Sequence, residues 1–357
     1  MKGVVLHGGS GTRLRPLTHT GPKQLIPIAN KPVSQYAVED LLACGIKEIA
    51  FVLGDIHPEK VKEHYGDGST HGARFTYIPQ EEPLGIAHAI SLCREFVKDS
   101  PFVVYLGDNL IKGGIAKHVQ EFQDAKADAA ILLSKVKNPS RFGVARLDNH
   151  GRLIGLEEKP KKPPTNLALT GIYLLKPVIF KMIERLRPSW RNELEITEAL
   201  QLLLDNEGKI DYRIVEGWWK DTGTPEDILE SNRLVLDDLQ PKIEGHVEDD
   251  GSIQGRVSVG RGSRISSGAT IRGPSIIGEE VVLESGVYVG PYTSIGNHAL
   301  IKRGEIEDSI VMDHCTIDIP HRITSSIIGQ HTTITSADHN SPKGLRLMLG
   351  ENCQLNL

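Results

Sequence analysis

Two hydrophobic textures divide the chain. From residue 1 to about 236, short apolar runs alternate with stretches whose apolar positions recur at helical spacing. That alternation predicts a layered α/β domain with a mostly parallel sheet. Lys2 to Leu6 reads as the first strand and Ile49 to Leu53 as the next. Phe102 to Leu106 (FVVYL) is apolar enough for a strand buried on both faces, running straight into Gly107-Asp108-Asn109. Between the first two strands Ala37, Val38, Leu41 and Leu42 recur at helical spacing. Asn30-Lys31-Pro32 predicts a cap with proline in the first turn, and Gly45 a stop. Thr224-Pro225-Glu226-Asp227 has the same capping pattern.

Near residue 240 the texture changes. A branched aliphatic residue then recurs every six positions: Ile253, Val259, Ile265, Ile271, Ile277, Leu283, Val289, Ile295 and Ile301. A period of six fits neither a helix nor a lone amphipathic strand. It is the period of the hexapeptide repeat, in which each short strand forms one side of a triangular coil of about 18 residues and inward aliphatics stack coil upon coil. Gly260, Gly278, Gly290 and Gly296 follow the aliphatic positions, as tight corners prefer. Val311, Ile317 and Ile323 resume the spacing, Ile328 and Ile334 continue it with a slip of one residue, and Leu349 to Leu355 reads as a last hexapeptide after a loop over 337–346. The expected architecture is therefore an α/β domain over 1–240 followed by a parallel β-helix over 241–357.

Composition narrows the function. With 39% hydrophobic and 24% charged residues and a net charge of -5, the chain is expected to be a soluble globular protein with no nucleic-acid partner. No basic segment followed by a long apolar one opens it, and no apolar run reaches membrane-spanning length, so a cytoplasmic protein without membrane association is expected. Cys44, Cys93, Cys315 and Cys353 are far apart, with no C-x-x-C pair to suggest zinc or a redox dithiol, and are expected as reduced thiols.

The candidate chemistry begins at LHGGSGTRLRPLT, residues 6–18. No lysine follows Gly11 as a Walker loop needs, and Leu14 stands where a dinucleotide fingerprint needs its third glycine. What remains is a strand-to-loop turn whose glycines let backbone N–H groups approach an anion and whose Arg13 adds fixed charge, suiting a triphosphate better than a dinucleotide. Asp108 falls at the carboxyl end of a strand, where ligands of open α/β sheets bind.

Residues 6–28, LHGGSGTRLRPLTHTGPKQLIPI, resemble the signature of the sugar-nucleotide pyrophosphorylases, a sugar nucleotidyltransferase family. PQEEPLGIAHA (79–89), YLGDN (105–109), FGVA (142–145), LEEKP (156–160), NLALTGIYL (166–174), ELEIT (193–197) and WKDTGT (219–224) extend the match in order over nearly all of residues 1–235. The resemblance is to the branch that transfers thymidylyl groups to glucose 1-phosphate, in its long form with a hexapeptide tail. It implies a Rossmann-like domain with a mixed, mostly parallel sheet, and a left hand for the β-helix. His7 stands where alanine or serine is usual in that family, so either only its backbone is used or its imidazole alters the nucleotide contacts.

The implied reaction joins α-D-glucose 1-phosphate to dTTP by in-line attack of the sugar phosphate on the α-phosphorus, releasing pyrophosphate. The nucleophile is already anionic near neutral pH, so catalysis rests on positioning two repelling anions and neutralising charge on the leaving group. The resemblance assigns Arg13 to the leaving pyrophosphate, Lys23 to the phosphates, Lys159 to the sugar phosphate, and Asp108 with Asp221 to Mg2+. Two carboxylates completed by phosphate oxygens and water suit that ion. Asp221 has a competing role as an anchor of the loop into the helix that Thr224 caps. Leu6, Gly8, Gly9, Gly11, Thr12 and Gln24 line the nucleotide, and Gln80 with the Gly85 backbone reads the base. Gly143, Glu158, Lys159 and Thr170 take the sugar phosphate, while Glu193 and Glu195 either position glucose or form a surface pair capping a helix over 196–204.

Three alternatives accompany this reading. Thymine and uracil differ by one methyl group, worth only about 1–3 kcal/mol, so some use of UTP is expected. His298, His314, His321, His331 and His339 could serve an acyltransferase site in the β-helix, although exposed turns are their expected setting. A non-catalytic sensor of sugar nucleotides is the third, opposed by the intact set Arg13, Lys23, Asp108, Lys159 and Asp221. Exposed β-helix faces lead us to expect a homo-oligomer. A chain cut after about residue 237 is expected to keep its chemistry.

Overall fold

The computed structural model describes residues 1–249 and 252–336. The hexapeptide expected at Leu349 to Leu355, the loop over 337–346, His339 and Cys353 lie outside the described residues. The chain divides into two compact units. One comprises Met1–Gly11, Thr20–Leu25 and Val33–Asp221; the other comprises Thr12–His19, Ile26–Pro32 and the chain from Thr222 on.

The first unit is built on a mixed sheet with a parallel block. Lys2–His7 runs parallel to Glu48–Leu53 on one side and to Phe102–Leu106 on the other, and Arg74–Pro79 extends the block beyond Glu48–Leu53. Leu167–Leu175 then runs antiparallel to Phe102–Leu106 and to Ala129–Lys135, which pairs in parallel with Ile210–Ile214. The hairpin Gly143–Leu147 and Leu153–Glu158 completes it.

Alternate side chains explain the continuous apolar runs. Val4, Val52 and Val104 enter one core while Val5, Phe51 and Val103 enter the other, and all are fully buried. From Lys2–His7 the chain goes to one side for its next two parallel strands and returns to the other side for Phe102–Leu106. The carboxyl ends of Lys2–His7 and Phe102–Leu106 therefore flank a topological switch point, the crevice where such sheets bind ligands. The helix after the glycine loop spans Val33–Ala43 and stops as expected, with Gly45 N donating to Leu42 O at 2.8 Å.

The second unit is a parallel β-helix with three aliphatic columns. Val259, Ile277, Ile295, Val311 and Ile328 stack in one; Val247, Ile265, Leu283, Ile301, Ile317 and Ile334 in the second; Ile253, Ile271, Val289, Ile306 and Ile323 in the third. Glycine is required at the corners by backbone approach: a β-carbon on Gly278 would lie 2.6 Å from Asn297 Oδ1 and 2.8 Å from Asn297 N. Ile306 carries its column through a coil shortened by one residue, which a strict period of six passes over.

The unit also contains the capped helix Pro225–Asp237, where Asp227 N donates to Thr224 Oγ1 at 3.2 Å. Asn30 does not cap the next helix. It sits at φ 61° in the turn of a short hairpin, Pro27–Ile28 with Lys31–Pro32, and its amide donates to Ile295 O at 2.6 Å. The hairpin is fixed further by the fully buried Asn232, whose Oδ1 accepts from Ala29 N and Ser294 Oγ, both at 2.8 Å, while Nδ2 donates to Tyr292 O at 3.0 Å. Among the described residues no helix is long and apolar enough to cross a membrane.

Candidate active site

The glycine turn starts where Leu6 O accepts from Gly107 N at 2.9 Å, which welds the ends of the two central strands together. Gly9 and Gly11 have φ of 97° and 59°, open to glycine at little cost. Gln24 Nε2 donates to Gly8 O at 2.9 Å, Gln80 Oε1 lies 3.2 Å from where a β-carbon on Gly8 would be, and Lys23 runs under Gly9. Thr12–Leu14, the continuation of the loop, forms a single tight turn in the second unit, with Thr12 and Arg13 exposed and Leu14 buried.

Lys23 forms an ion pair with Asp108 Oδ2, and both side chains are only 15% exposed. Asn109 Nδ2 donates to Asp108 Oδ1 at 2.8 Å and is itself oriented by Trp219, whose indole N–H donates to Asn109 Oδ1 at 2.8 Å. Burial raises the Asp108 pKa, but the Lys23 charge and the hydrogen bonds from Lys23 and Asn109 outweigh it and hold the carboxyl below its ordinary value. The antiparallel pairing of Trp219–Asp221 with Asn109–Ile111 sets Asp221 directly opposite Asn109, the residue that follows Asp108. Asn109 and Trp219 stand inside the YLGDN and WKDTGT motifs without a role of their own there, and the fold gives them one: Trp219 orients Asn109, and Asn109 orients the Asp108 carboxyl.

His7 packs edge-on to Phe51 (ring centroids 5.4 Å apart) and Tyr65 (6.2 Å). Both ring nitrogens are buried without a partner among the described residues, and burial lowers the pKa to about 3, so the imidazole is neutral. Of the two options for His7, the structure selects the one in which its side chain belongs to the core.

A second cluster gathers at the end of Leu153–Glu158. Glu158 pairs in register with Gly143, and Thr197 Oγ1 donates to Glu158 Oε2 at 2.6 Å. Lys159 Nζ and Arg191 Nη1 each lie 3.7 Å from Glu158 Oε1. Arg191 also pairs with Glu193 at 2.7 Å and Glu195 at 3.3 Å, and Ser189 Oγ donates to Glu195 at 2.9 Å. Burial raises the Glu158 pKa and Glu195 adds repulsion, against the Thr197 hydrogen bond and the two nearby cations. Glu195 is 3% exposed and caps no backbone N–H, so the surface capping pair is ruled out. Arg191 had no motif to mark it; its importance lies in the three carboxylates it joins.

Gly85 connects the clusters. Gln80 Nε2 contacts Gly85 O at 3.4 Å and His88 Nδ1 at 3.1 Å, while a β-carbon on Gly85 would lie 2.6 Å from Leu194 O. Thr170 stays apart from both: it is fully buried and donates to Leu132 O at 3.1 Å.

A nucleotidyl transferase family model matches residues 2–238. The chain belongs to the nucleotidyl transferase family. A low-salt glycan biosynthesis nucleotidyltransferase, Agl11, of Haloferax volcanii is 50% identical over 357 residues, covering 100% of both chains. A glucose-1-phosphate thymidylyltransferase of Streptomyces antibioticus is 46% identical over 358 residues, covering 100% of this chain and 99% of its own. Among solved structures, a putative glucose-1-phosphate thymidylyltransferase from Bacillus anthracis, in complex with a sucrose, matches with a TM-score of 0.64 and 40% identity, covering 68% of this chain and 98% of its own. The nucleotidyl transferase domain thus contains both clusters, and this chain is an enzyme.

Proposed function

We propose that the protein transfers a thymidylyl group from dTTP to α-D-glucose 1-phosphate, giving dTDP-glucose and pyrophosphate. The observation that carries this reading is the Lys23–Asp108 pair beside Gly9 of the glycine turn, with the backbone of Asp221 opposite Asn109, the residue that follows Asp108. A full-length relative named for this activity supports the choice of substrates.

The residues present fit a divalent ion. Asp108 and Asp221 offer hard oxygen donors on adjacent backbone, and among the described residues no larger set of metal-binding side chains competes with them. Such a pair suits Mg2+, which keeps waters and takes phosphate oxygens rather than an all-protein cage. When bound there, Mg2+ screens the charge of the triphosphate.

The chain's own groups do the positioning. The N–H groups of the Gly8 to Gly11 turn, with Leu6 and Thr12 at its ends and Gln24 bracing Gly8, hold the phosphates, and Lys23 adds a charge from below. Gln80 and the Gly85 main chain meet the hydrogen-bonding edge of a pyrimidine. Glu158 binds sugar hydroxyls, Lys159 pairs with the sugar phosphate, and Gly143 shapes that end of the site. The sugar phosphate oxygen attacks the α-phosphorus, the bond to the β-phosphate oxygen breaks, and Arg13 stabilises the charge carried off by pyrophosphate. No proton has to move.

The test is direct. The protein is incubated with glucose 1-phosphate, Mg2+ and equal dTTP, UTP, GTP, ATP and CTP, and the nucleotide sugar is identified by mass. A predominant dTDP-glucose peak is expected. Predominant UDP-glucose would keep the mechanism and overturn the base assignment, and absence of any nucleotide sugar would overturn the choice of sugar phosphate.

A further inference from the structure

The β-helix carries a column of three imidazoles that the transfer reaction leaves unused. His298, His314 and His331 stack face to face, with centroids 4.8 Å apart in both pairs and planes within 5° and 3° of parallel. All three are exposed. Their ring nitrogens meet no hydrogen-bonding or charged partner among the described residues.

The column is set by backbone rather than by sequence period. Each histidine sits at a left-handed corner, with φ of 57°, 59° and 59°. Each donates its N–H to the coil before it: His298 to Glu279 O, His314 to Asn297 O, His331 to Asp313 O. Glu280, at φ 54° with its N–H on Arg261 O, fills the same seat one coil earlier. The steps from Glu280 through the three histidines are 18, 16 and 17 positions, so the seat is kept while coil length varies. Left-handed φ disfavours most side chains but admits Asn, Asp and His, so the seat accepts an imidazole, and here three successive coils carry one.

We propose that this column binds a divalent transition ion of the zinc, nickel or copper class through adjacent imidazoles, clamping successive coils together. Imidazole is the ligand these ions share, and two Zn–N bonds span at most about 4.1 Å. The in-plane lone pairs of stacked rings run parallel, so the two rings of a pair turn about their side-chain bonds until both nitrogens face one ion, a movement their exposure leaves open. Among the described residues no three donors converge on one point, so the site is an imidazole pair completed by water, with His314 common to both pairs. Glu280, in the equivalent seat one coil before His298, puts an acidic residue at the end of the column. This proposal is independent of the substrates of the catalytic domain.

The full chain titrated with ZnCl2 in a calorimeter at neutral pH tests it, alongside His314→Asn, which retains a residue suited to the left-handed seat. Micromolar binding by the wild type, weakened at least tenfold by His314→Asn, is expected, as is a zinc-dependent rise in the unfolding temperature that the variant lacks. His298→Asn, which leaves the His314 and His331 pair intact, retains binding. Equal zinc affinity in wild type and His314→Asn, or no saturation of the wild type below millimolar zinc, overturns the proposal. Unfolding temperatures measured without zinc separate loss of the ligand from loss of the fold.

Discussion

Lys23 and Asp108 hold each other at the foot of the glycine turn, each only 15% exposed. In the proposed reaction these groups serve different ligands, the lysine a phosphate and the aspartate a cation, so their mutual contact is what an incoming metal-bound nucleotide displaces. Lys23→Met removes the ammonium while keeping much of the apolar stem. The cost of leaving a mostly buried carboxylate without its cation is about 3 kcal/mol, lowering the unfolding temperature. We expect Mn2+ to bind the nucleotide-free variant about tenfold more tightly than wild type, by electron paramagnetic resonance, because the competing cation has gone. The KM for dTTP rises at least tenfold. An unchanged Mn2+ affinity would show that the lysine does not guard the carboxylate.

Asp108→Asn and Asp221→Asn test whether the two aspartates, brought near by the Asp221–Asn109 register, act as one centre. Each removes one anionic oxygen at nearly constant shape, and each is expected to lower kcat roughly 10²–10³-fold with little effect on nucleotide binding. If they serve one ion, the double variant falls scarcely further than either single one. A variant retaining wild-type kcat at saturating Mg2+ removes that residue from the centre. Asp221 would then be an anchor of the loop that leads to the helix Pro225–Asp237.

His7 supplies a pH dependence whose sign follows from its burial. Its pKa falls from 6.5 to about 3 on folding. Between those values the unfolded chain binds a proton that the native protein does not, so stability is lost as pH drops below 6.5 and the loss levels off near 3. At pH 5 this amounts to about 2 kcal/mol. His7→Leu removes both the titration and two buried nitrogens without partners, and fills the space beside Phe51 and Tyr65 with apolar atoms. Its urea unfolding midpoint is expected to change less between pH 7 and pH 5 than that of wild type. Equal slopes would assign the acid sensitivity to other groups.

Legibility in the sequence held where a signal was local or periodic. FVVYL announced a doubly buried strand, Thr224 a cap, and the six-residue spacing a β-helix, because each depends on neighbours in the chain or on strict repetition. It failed where geometry was made by distant pairing. The coil shortened at Ile306 broke the period without breaking the column. Asn30 has the composition of a cap, but Ile295 O, 265 positions away, claimed its amide. Arg191 lies outside every quoted motif, and Asn109 and Trp219, although inside YLGDN and WKDTGT, gain their roles only from partners brought together by the fold. The same is true of Thr12–His19 and Ile26–Pro32, which look like parts of the first domain and belong to the compact unit of the β-helix.

That last assignment reverses the expectation for a truncated chain. Asn232 ties the hairpin of Pro27–Ile28 and Lys31–Pro32 to the coil at Tyr292 and Ser294, and Asn30 adds a bond to Ile295 O. A fragment ending at residue 237 keeps Asn232 but loses all three coil partners, and the segment bearing Arg13 loses the unit it packs in. We expect such a fragment to unfold at a lower temperature and to show kcat reduced at least tenfold. Asn232→Ala in the full chain isolates the tie itself. It strands the Ala29 N–H, the Ser294 hydroxyl and the Tyr292 carbonyl, at a cost of about 2–3 kcal/mol. Thermal unfolding and steady-state kinetics of both proteins check this. Wild-type kcat in a well-folded fragment would mean that the hairpin and Arg13 keep their working positions without the β-helix, and a small effect of Asn232→Ala would place the tie in other contacts of the unit.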